Sequence, residues 1–131
     1  MLKTEGQQAA DVVLKWVDCV NSGDLDGVLS LFAEDAILLP TFSAKILNKP
    51  EDIRAYFLML ASRPGARVEI DETTFSATNT RDNIVSLVGK YTFYFDEEGK
   101  SVAYPSRFTF VVVLNSDHPI SHQHSSLLPV D

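Results

Sequence analysis

The sequence predicts an α+β domain, and two contrasts along the chain carry this prediction. Up to about residue 62, apolar residues recur at intervals of three and four positions, which is the spacing of one helix face. After Gly65, the chain consists of stretches rich in β-branched and aromatic residues, separated by short polar turns. Helices followed by strands are typical of an α+β arrangement. A length of 131 residues fits one domain, so residues 1–131 are expected to form a single unit.

Two helices are predicted before residue 35. The first runs from about residue 7 to residue 20 and ends before Gly23, which suits a left-handed cap. Asp24 can cap a second, short helix, whose apolar face is expected to include Phe32.

A short strand and a third helix follow. Residues 36–39 are an apolar run that Pro40 closes, which predicts a short strand. Asn48 is a plausible N-cap for the third helix, because Pro50 fits a first turn. The Arg-Pro-Gly sequence at 63–65 is expected to stop this helix.

The rest of the chain predicts an antiparallel sheet. Its strands are expected at residues 67–75, 84–95, 106–114 and 120–128. The Asp-Glu-Glu-Gly sequence at 96–99 predicts a hairpin turn. The helices must cover one sheet face, and the other face is then solvated or used for self-association. Ile84, Val88 and Val111 could supply such an interface, so a homodimer or larger ring is expected.

Composition excludes several classes of partner. The formal net charge of −7 disfavours a nucleic-acid partner, because an acidic surface repels phosphate backbones. A single cysteine, Cys19, allows no intrachain disulfide. The first residues have no apolar signal core and no run approaches transmembrane length, so a cytoplasmic location without a membrane partner is expected.

The polar residues at the end of the chain are the first candidates for a site. Side chains alternate faces along a strand, so His122, His124 and Ser126 are expected to share one face with Ile120. Arg107 and Thr109 share one face of the preceding strand, and the two polar rows can meet if these strands are adjacent.

Two further candidates lie outside these strands. Tyr56 lies on the apolar face of the third helix, so its hydroxyl needs a partner inside the fold. Thr41 directly follows Pro40. Structural alternatives stay open: Tyr56 as an ordinary core residue, Arg107 in an ion pair at the sheet rim, and Thr41 as a turn residue.

Metal and covalent chemistry have little support in the sequence. His122 and His124 could present two ligands on one side of a strand, but no third protein ligand is evident, so neither a metal nor a cofactor is expected. A Ser–His–acid triad is disfavoured, because Ser126 and His124 run parallel on one strand and no nucleophile elbow is present.

The ending His-Gln-His-Ser-Ser-Leu-Leu-Pro, residues 122–129, resembles the His-His-Ser-Ser-x-x-Pro ending of the association-domain-like family of calcium/calmodulin-dependent protein kinase II. Further matches are Ala-Ile-Leu-Leu-Pro-Thr-Phe-Ser at 36–43, Tyr-Phe at 56–57, Gly-Lys-Tyr-Thr-Phe at 89–93 and Arg-Phe-Thr-Phe-Val at 107–111. The resemblance implies a nuclear-transport-factor-2-like or SnoaL-like cone, in which helices and a curved antiparallel sheet enclose a pocket.

The family resemblance extends to iota-class carbonic anhydrases, some of which work without metal. It implies a site of Thr41, Tyr56, His124 and Ser126 around bicarbonate. Gln123 departs from the family, which often has His there; it is expected to point away from the site and to do no harm.

Three functions follow from this reading. The first is reversible hydration of carbon dioxide, with His124 orienting the network or carrying the proton and Arg107, Thr109 and His122 contacting the substrate. The second is a non-enzymatic module that self-associates or binds a small carboxylate through Arg107. The third is SnoaL-like isomerase or cyclase chemistry, for which Asp35 is a weak candidate carboxylate.

Overall fold

Three helices pack on one face of a five-stranded sheet in the computed structural model, which describes residues 2–130. The α+β class is thereby confirmed. In chain order the elements are α1 (Glu5–Ser22), α2 (Leu25–Leu31), β1 (Phe32–Leu39), α3 (Pro50–Ser62), β2 (Arg67–Arg81), β3 (Ile84–Glu97), β4 (Lys100–Val113) and β5 (Ile120–Leu127).

The ends of α1 and α2 follow their local sequence. Thr4 caps α1 by accepting a hydrogen bond from the Gln7 backbone N–H, and the Gln7 side chain returns a bond to the Thr4 N–H. Gly23 adopts the predicted left-handed conformation, with φ of 70°. The Asp24 side chain caps α2, as predicted, by accepting from the Gly27 N–H at 2.9 Å.

Several element boundaries differ from the prediction: β1 begins four residues earlier than expected, β2 ends six residues later and β4 begins six residues earlier. Phe32 is the first residue of β1, so α2 ends one residue earlier than its apolar spacing indicated. Lys49, and not Asn48, is the N-cap of α3, and it makes no side-chain capping bond. Pro50 still begins this helix, since its missing N–H is not needed in the first turn.

The sheet order is β1-β5-β4-β3-β2, and the sheet is mixed. β1 pairs in parallel with β5, so the expectation of a wholly antiparallel sheet is wrong at this edge. The other pairs are antiparallel. The predicted hairpin between β3 and β4 is confirmed, with left-handed Glu98 and Gly99 at φ of 52° and 77°.

The inner face of the sheet, which faces the helices, forms the core. Trp16 of α1 lies at its centre, fully buried, and stacks on Tyr91 with ring centroids 5.7 Å apart. Phe93 and Phe95 point to the same side as Tyr91 and are buried. The outer face carries no helix, and Val88 there is 40 % exposed.

Candidate functional site

The predicted histidine and serine row of β5 lies on the outer face of the sheet, and its neighbours lie on the inner face. Gln123 and Ser125 are buried, whereas His124 is exposed. The prediction that His124 and Ser126 line the interior opposite Tyr56 is therefore wrong.

A bulge explains this inversion. Ile120 pairs with Val112 and His122 with Val111, so Ser121 is an extra residue at the start of β5. An extra residue in one strand moves every following side chain to the opposite face. Ile120 consequently points inward, and the inward positions after it are odd-numbered.

The two predicted polar rows do meet, on the outer face. Arg107 is directly opposite Ser126, and Thr109 is opposite His124. These four residues, together with Lys90 of β3, line a groove of about 410 Å³, here called the outer groove. His122 lies one row further along, where its Nδ1 contacts the Ile37 carbonyl oxygen at 2.9 Å.

Polar side chains on the inner side form a separate group, here called the interior cluster: Thr41, Tyr56, Tyr91, Gln123 and Ser125. The Gln123 amide donates to the Tyr91 hydroxyl at 3.1 Å, inside the core. The Thr41 and Ser125 hydroxyls hydrogen-bond each other, and both lower the pKa of the nearby Tyr91 hydroxyl. Of the predicted site residues, only Thr41 and Tyr56 belong here.

The phenols of the interior cluster are held in their neutral form. Burial raises the pKa of Tyr56 to about 12, and the hydrogen bond from the Phe42 backbone N–H offsets part of that rise. Burial also raises the pKa of Tyr91, against the lowering effect of the Ser125 and Gln123 hydrogen bonds. Both hydroxyls therefore keep their protons at neutral pH, and neither is a base.

The segment after β1 closes the interior cluster from outside. The Phe42 backbone N–H donates to the Tyr56 hydroxyl at 3.4 Å. The Phe42 ring packs edge-on against Phe95 at 5.2 Å and against Tyr104 at 5.5 Å. The Arg63 guanidinium lies 3.6 Å from the centroid of the Phe95 ring. Aromatic and cationic groups therefore surround the Phe42 side chain.

Two buried polar atoms in this region have no hydrogen-bond partner among the described residues. One is Oε1 of Gln123, an acceptor, and the other is Nε1 of Trp16, a donor. Trp16 packs against Tyr91 and Phe110, the residue that pairs with Gln123, so both atoms belong to the same part of the core. Unpartnered buried polar atoms cost free energy, and they mark places where a small polar molecule would be stabilised.

The sequence does contain a signal for Tyr91 as a site residue. Tyr91 lies in an otherwise apolar inward row, and a buried phenol needs a partner. The inward positions of Gln123 and Ser125 could not be predicted without knowledge of the bulge, because strict alternation places both side chains on the outer face.

Metal ligands are not grouped in the described part of the chain. No set of three or more His, Cys, Asp or Glu side chains within residues 2–130 could hold one ion. His122 and His124 share a face, but no acidic or cysteine side chain joins them. Separately, no helix within these residues is both long and apolar enough to span a bilayer.

The SnoaL-like domain family matches residues 13–121, and the chain belongs to that family. A solved structure from Xanthomonas campestris, provisionally named as a calcium/calmodulin dependent protein kinase II association domain, is similar with a TM-score of 0.82 and 27 % identity. The similarity covers 94 % of this chain and 87 % of that one.

Two further similarities are weaker, and the structural one shows the fold alone. An NTF2-like protein with a cystatin-like fold from Novosphingobium aromaticivorans matches with a TM-score of 0.77 and 11 % identity, over 95 % of this chain and 82 % of that one. An orange carotenoid-binding protein from Limnospira maxima is 41 % identical over 44 residues, which are 34 % of this chain and 14 % of that protein. The chain thus matches only a small part of that relative's length.

Proposed function

We propose that the chain binds a small oxygen-bearing acid, such as bicarbonate, at the interior cluster and that it does not turn this ligand over at neutral pH. The observation that carries the proposal is the unpartnered Gln123 Oε1 beside several hydroxyl groups. Such a site suits a ligand that offers one donor and at least one acceptor. Bicarbonate has one hydroxyl and two further oxygens.

Access is supplied by the groove between α3 and the segment that follows β1. This groove, of about 400 Å³, is lined by Phe42 and Tyr56 among others. Thr41 is next in the chain and carries the hydroxyl that binds Ser125. The groove and the interior cluster therefore meet at residues 41–42, where Phe42 must turn aside to admit a ligand.

Binding is favoured over carbon dioxide hydration because the interior cluster has no group that accepts a proton near neutral pH. Tyr56 holds its proton up to a pKa of about 12, and the other members are neutral hydroxyls and an amide. His124, the base that the family resemblance implied, lies across the sheet. Isomerase or cyclase chemistry also lacks a proton acceptor in the interior cluster, because Asp35, its candidate carboxylate, is exposed on β1.

A matched pair of anions tests the ligand. Bicarbonate and acetate are both planar monoanions, but only bicarbonate carries a hydroxyl for Gln123 Oε1. We expect bicarbonate to bind at least about fivefold more tightly, because an unpartnered buried acceptor costs about 1–3 kcal/mol. Titration at constant ionic strength and mildly alkaline pH can follow Trp16 fluorescence, since Trp16 is the single tryptophan and stacks on Tyr91.

Variants make this test specific. Gln123→Met removes the acceptor, so the preference for bicarbonate should fall to about one. Gln8→Met alters an exposed glutamine on α1 and should leave the preference unchanged. Equal affinities in the wild type, or a preference that survives Gln123→Met, would contradict the proposal. Acceleration of carbon dioxide hydration above the buffer rate in stopped-flow would contradict its non-catalytic part.

We also propose self-association through the outer face of the sheet. Ile84, Val88 and Val111 lie there, and no helix covers them. Val88→Lys should shift the sedimentation coefficient at micromolar concentration towards the monomer, because a buried unpaired charge is costly. Leu58→Lys is the control, because Leu58 is exposed on α3, and it should leave the sedimentation coefficient unchanged. A wild type that sediments only as monomer would exclude the interface. The cytoplasmic location stays a prediction.

A further inference from the structure

Two cations face each other on the outer face of the sheet. Lys90 of β3 and Arg107 of β4 are directly opposite in the antiparallel register. Both side chains are exposed. Like charges in this arrangement destabilise a strand pair, whereas opposite charges in the same positions stabilise it. This pair therefore does not itself stabilise the sheet.

No acidic side chain forms an ion pair with either cation among residues 2–130. Neither Lys90 nor Arg107 forms an ion pair within 4.0 Å. Asp71 is opposite Lys90 on the other side, in β2; its carboxylate keeps its charge but accepts hydrogen bonds from the Thr73 backbone N–H and hydroxyl and makes no ion pair with Lys90. The local charge is thus positive on a chain whose net charge is −7.

Hydrogen-bonding groups surround the two cations. Ser126 is opposite Arg107 in the same row, and Thr109 and His124 form the next row. All of them line the outer groove of about 410 Å³. Cations and hydroxyls converge here in a space large enough for a small organic molecule.

We propose that the outer groove binds a small oxyanion of charge −2, held by Lys90 and Arg107. Two adjacent unpaired cations are neutralised by two negative charges, and a guanidinium binds carboxylate and phosphate oxygens in pairs. A short dicarboxylate and a phosphate share this chemistry. The site is separate from the interior cluster, because the sheet lies between them, and it does not depend on bicarbonate binding there.

Malonate and inorganic phosphate are the probes, with acetate as a monoanion control at equal ionic strength. We expect at least one dianion to shift the backbone amide resonances of Lys90, Arg107 and Ser126 in a ¹⁵N-resolved spectrum. Response to malonate alone assigns a dicarboxylate site, and response to phosphate alone assigns a phosphate site. Arg107→Gln should weaken binding about tenfold or more, since a hydrogen bond to a charged group contributes about 1.5–3 kcal/mol.

Arg54→Gln is the matched control, because it removes one exposed cation from α3 and changes net charge equally. It should change the affinity less than twofold. Equal weakening by both variants, no response to either dianion, or a response to acetate as strong as to the dianions would overturn the proposal. The proposal would also be overturned if Arg107→Gln dissociated an oligomer without altering anion binding. The outer groove would then hold an acidic side chain of a second copy and not a small anion.

Discussion

Replacing Trp16 by alanine is expected to lower the free energy of unfolding by about 3–5 kcal/mol. Trp16 is fully buried and stacks on Tyr91, while its ring edge contacts Phe110 at a centroid distance of 5.4 Å. It fills the space between α1 and the centre of the sheet, where rigid elements on both sides prevent collapse around a cavity. Urea unfolding followed by circular dichroism measures the change without relying on the tryptophan.

Two variants separate the causes of this loss. Trp16→Phe keeps an aromatic ring and removes the unpartnered Nε1, so it should cost clearly less than Trp16→Ala. Ile46→Ala truncates a side chain that is 68 % exposed and should change stability by no more than about 0.5 kcal/mol. A Trp16→Ala variant as stable as Ile46→Ala would show that this residue is not the centre of the core.

Local sequence was sufficient to predict most elements of the fold. The capping residues Gly23 and Asp24 act over a few positions, and the periodicity of α1 does not depend on distant contacts. The apolar spacing before β1 could not separate helix from strand at Phe32, because a short apolar run suits both. There the parallel pairing with β5, a contact across the chain, decides the outcome.

The site was less predictable than the fold, and one residue accounts for most of the difference. Strict alternation would give Ile120 and His124 the same face. The extra residue Ser121 reverses the order, so Gln123 and Ser125 enter the core. The position of the bulge depends on how β5 pairs with β4, and the local sequence of β5 does not determine that pairing. The meeting of the two polar rows, in contrast, needed only that β4 and β5 be adjacent, and there Arg107 is opposite Ser126.

This reversal changes what the departure at Gln123 means. Alternation placed it outside, where the replacement of histidine would do no harm. The structure places it against the Tyr91 hydroxyl, 2 % exposed. An amide donates and accepts but does not titrate, so the interior cluster keeps a hydrogen-bonding role where an imidazole would add acid–base chemistry.

Stability is expected to fall steeply at alkaline pH because of the same buried phenols. An unfolded tyrosine has a pKa of about 10, whereas burial raises the pKa of Tyr56 in the folded chain to about 12. The neutral phenol is thus favoured by folding. Its contribution is complete below about pH 10 and is lost as the pH rises towards about 12, by roughly 3 kcal/mol in all.

Comparison with Tyr56→Phe isolates this contribution from the other groups that titrate in the same range. The variant has no phenol at this position, so its free energy of unfolding should fall less between about pH 9 and about pH 11, by roughly 1.4 kcal/mol. Tyr94→Phe, on the outer face beside Arg67, is the control and should follow the wild type. Parallel pH profiles for wild type and Tyr56→Phe would mean that Tyr56 ionises as freely in the folded chain as in the unfolded one, and the closed interior that Phe42 covers would then be open to water.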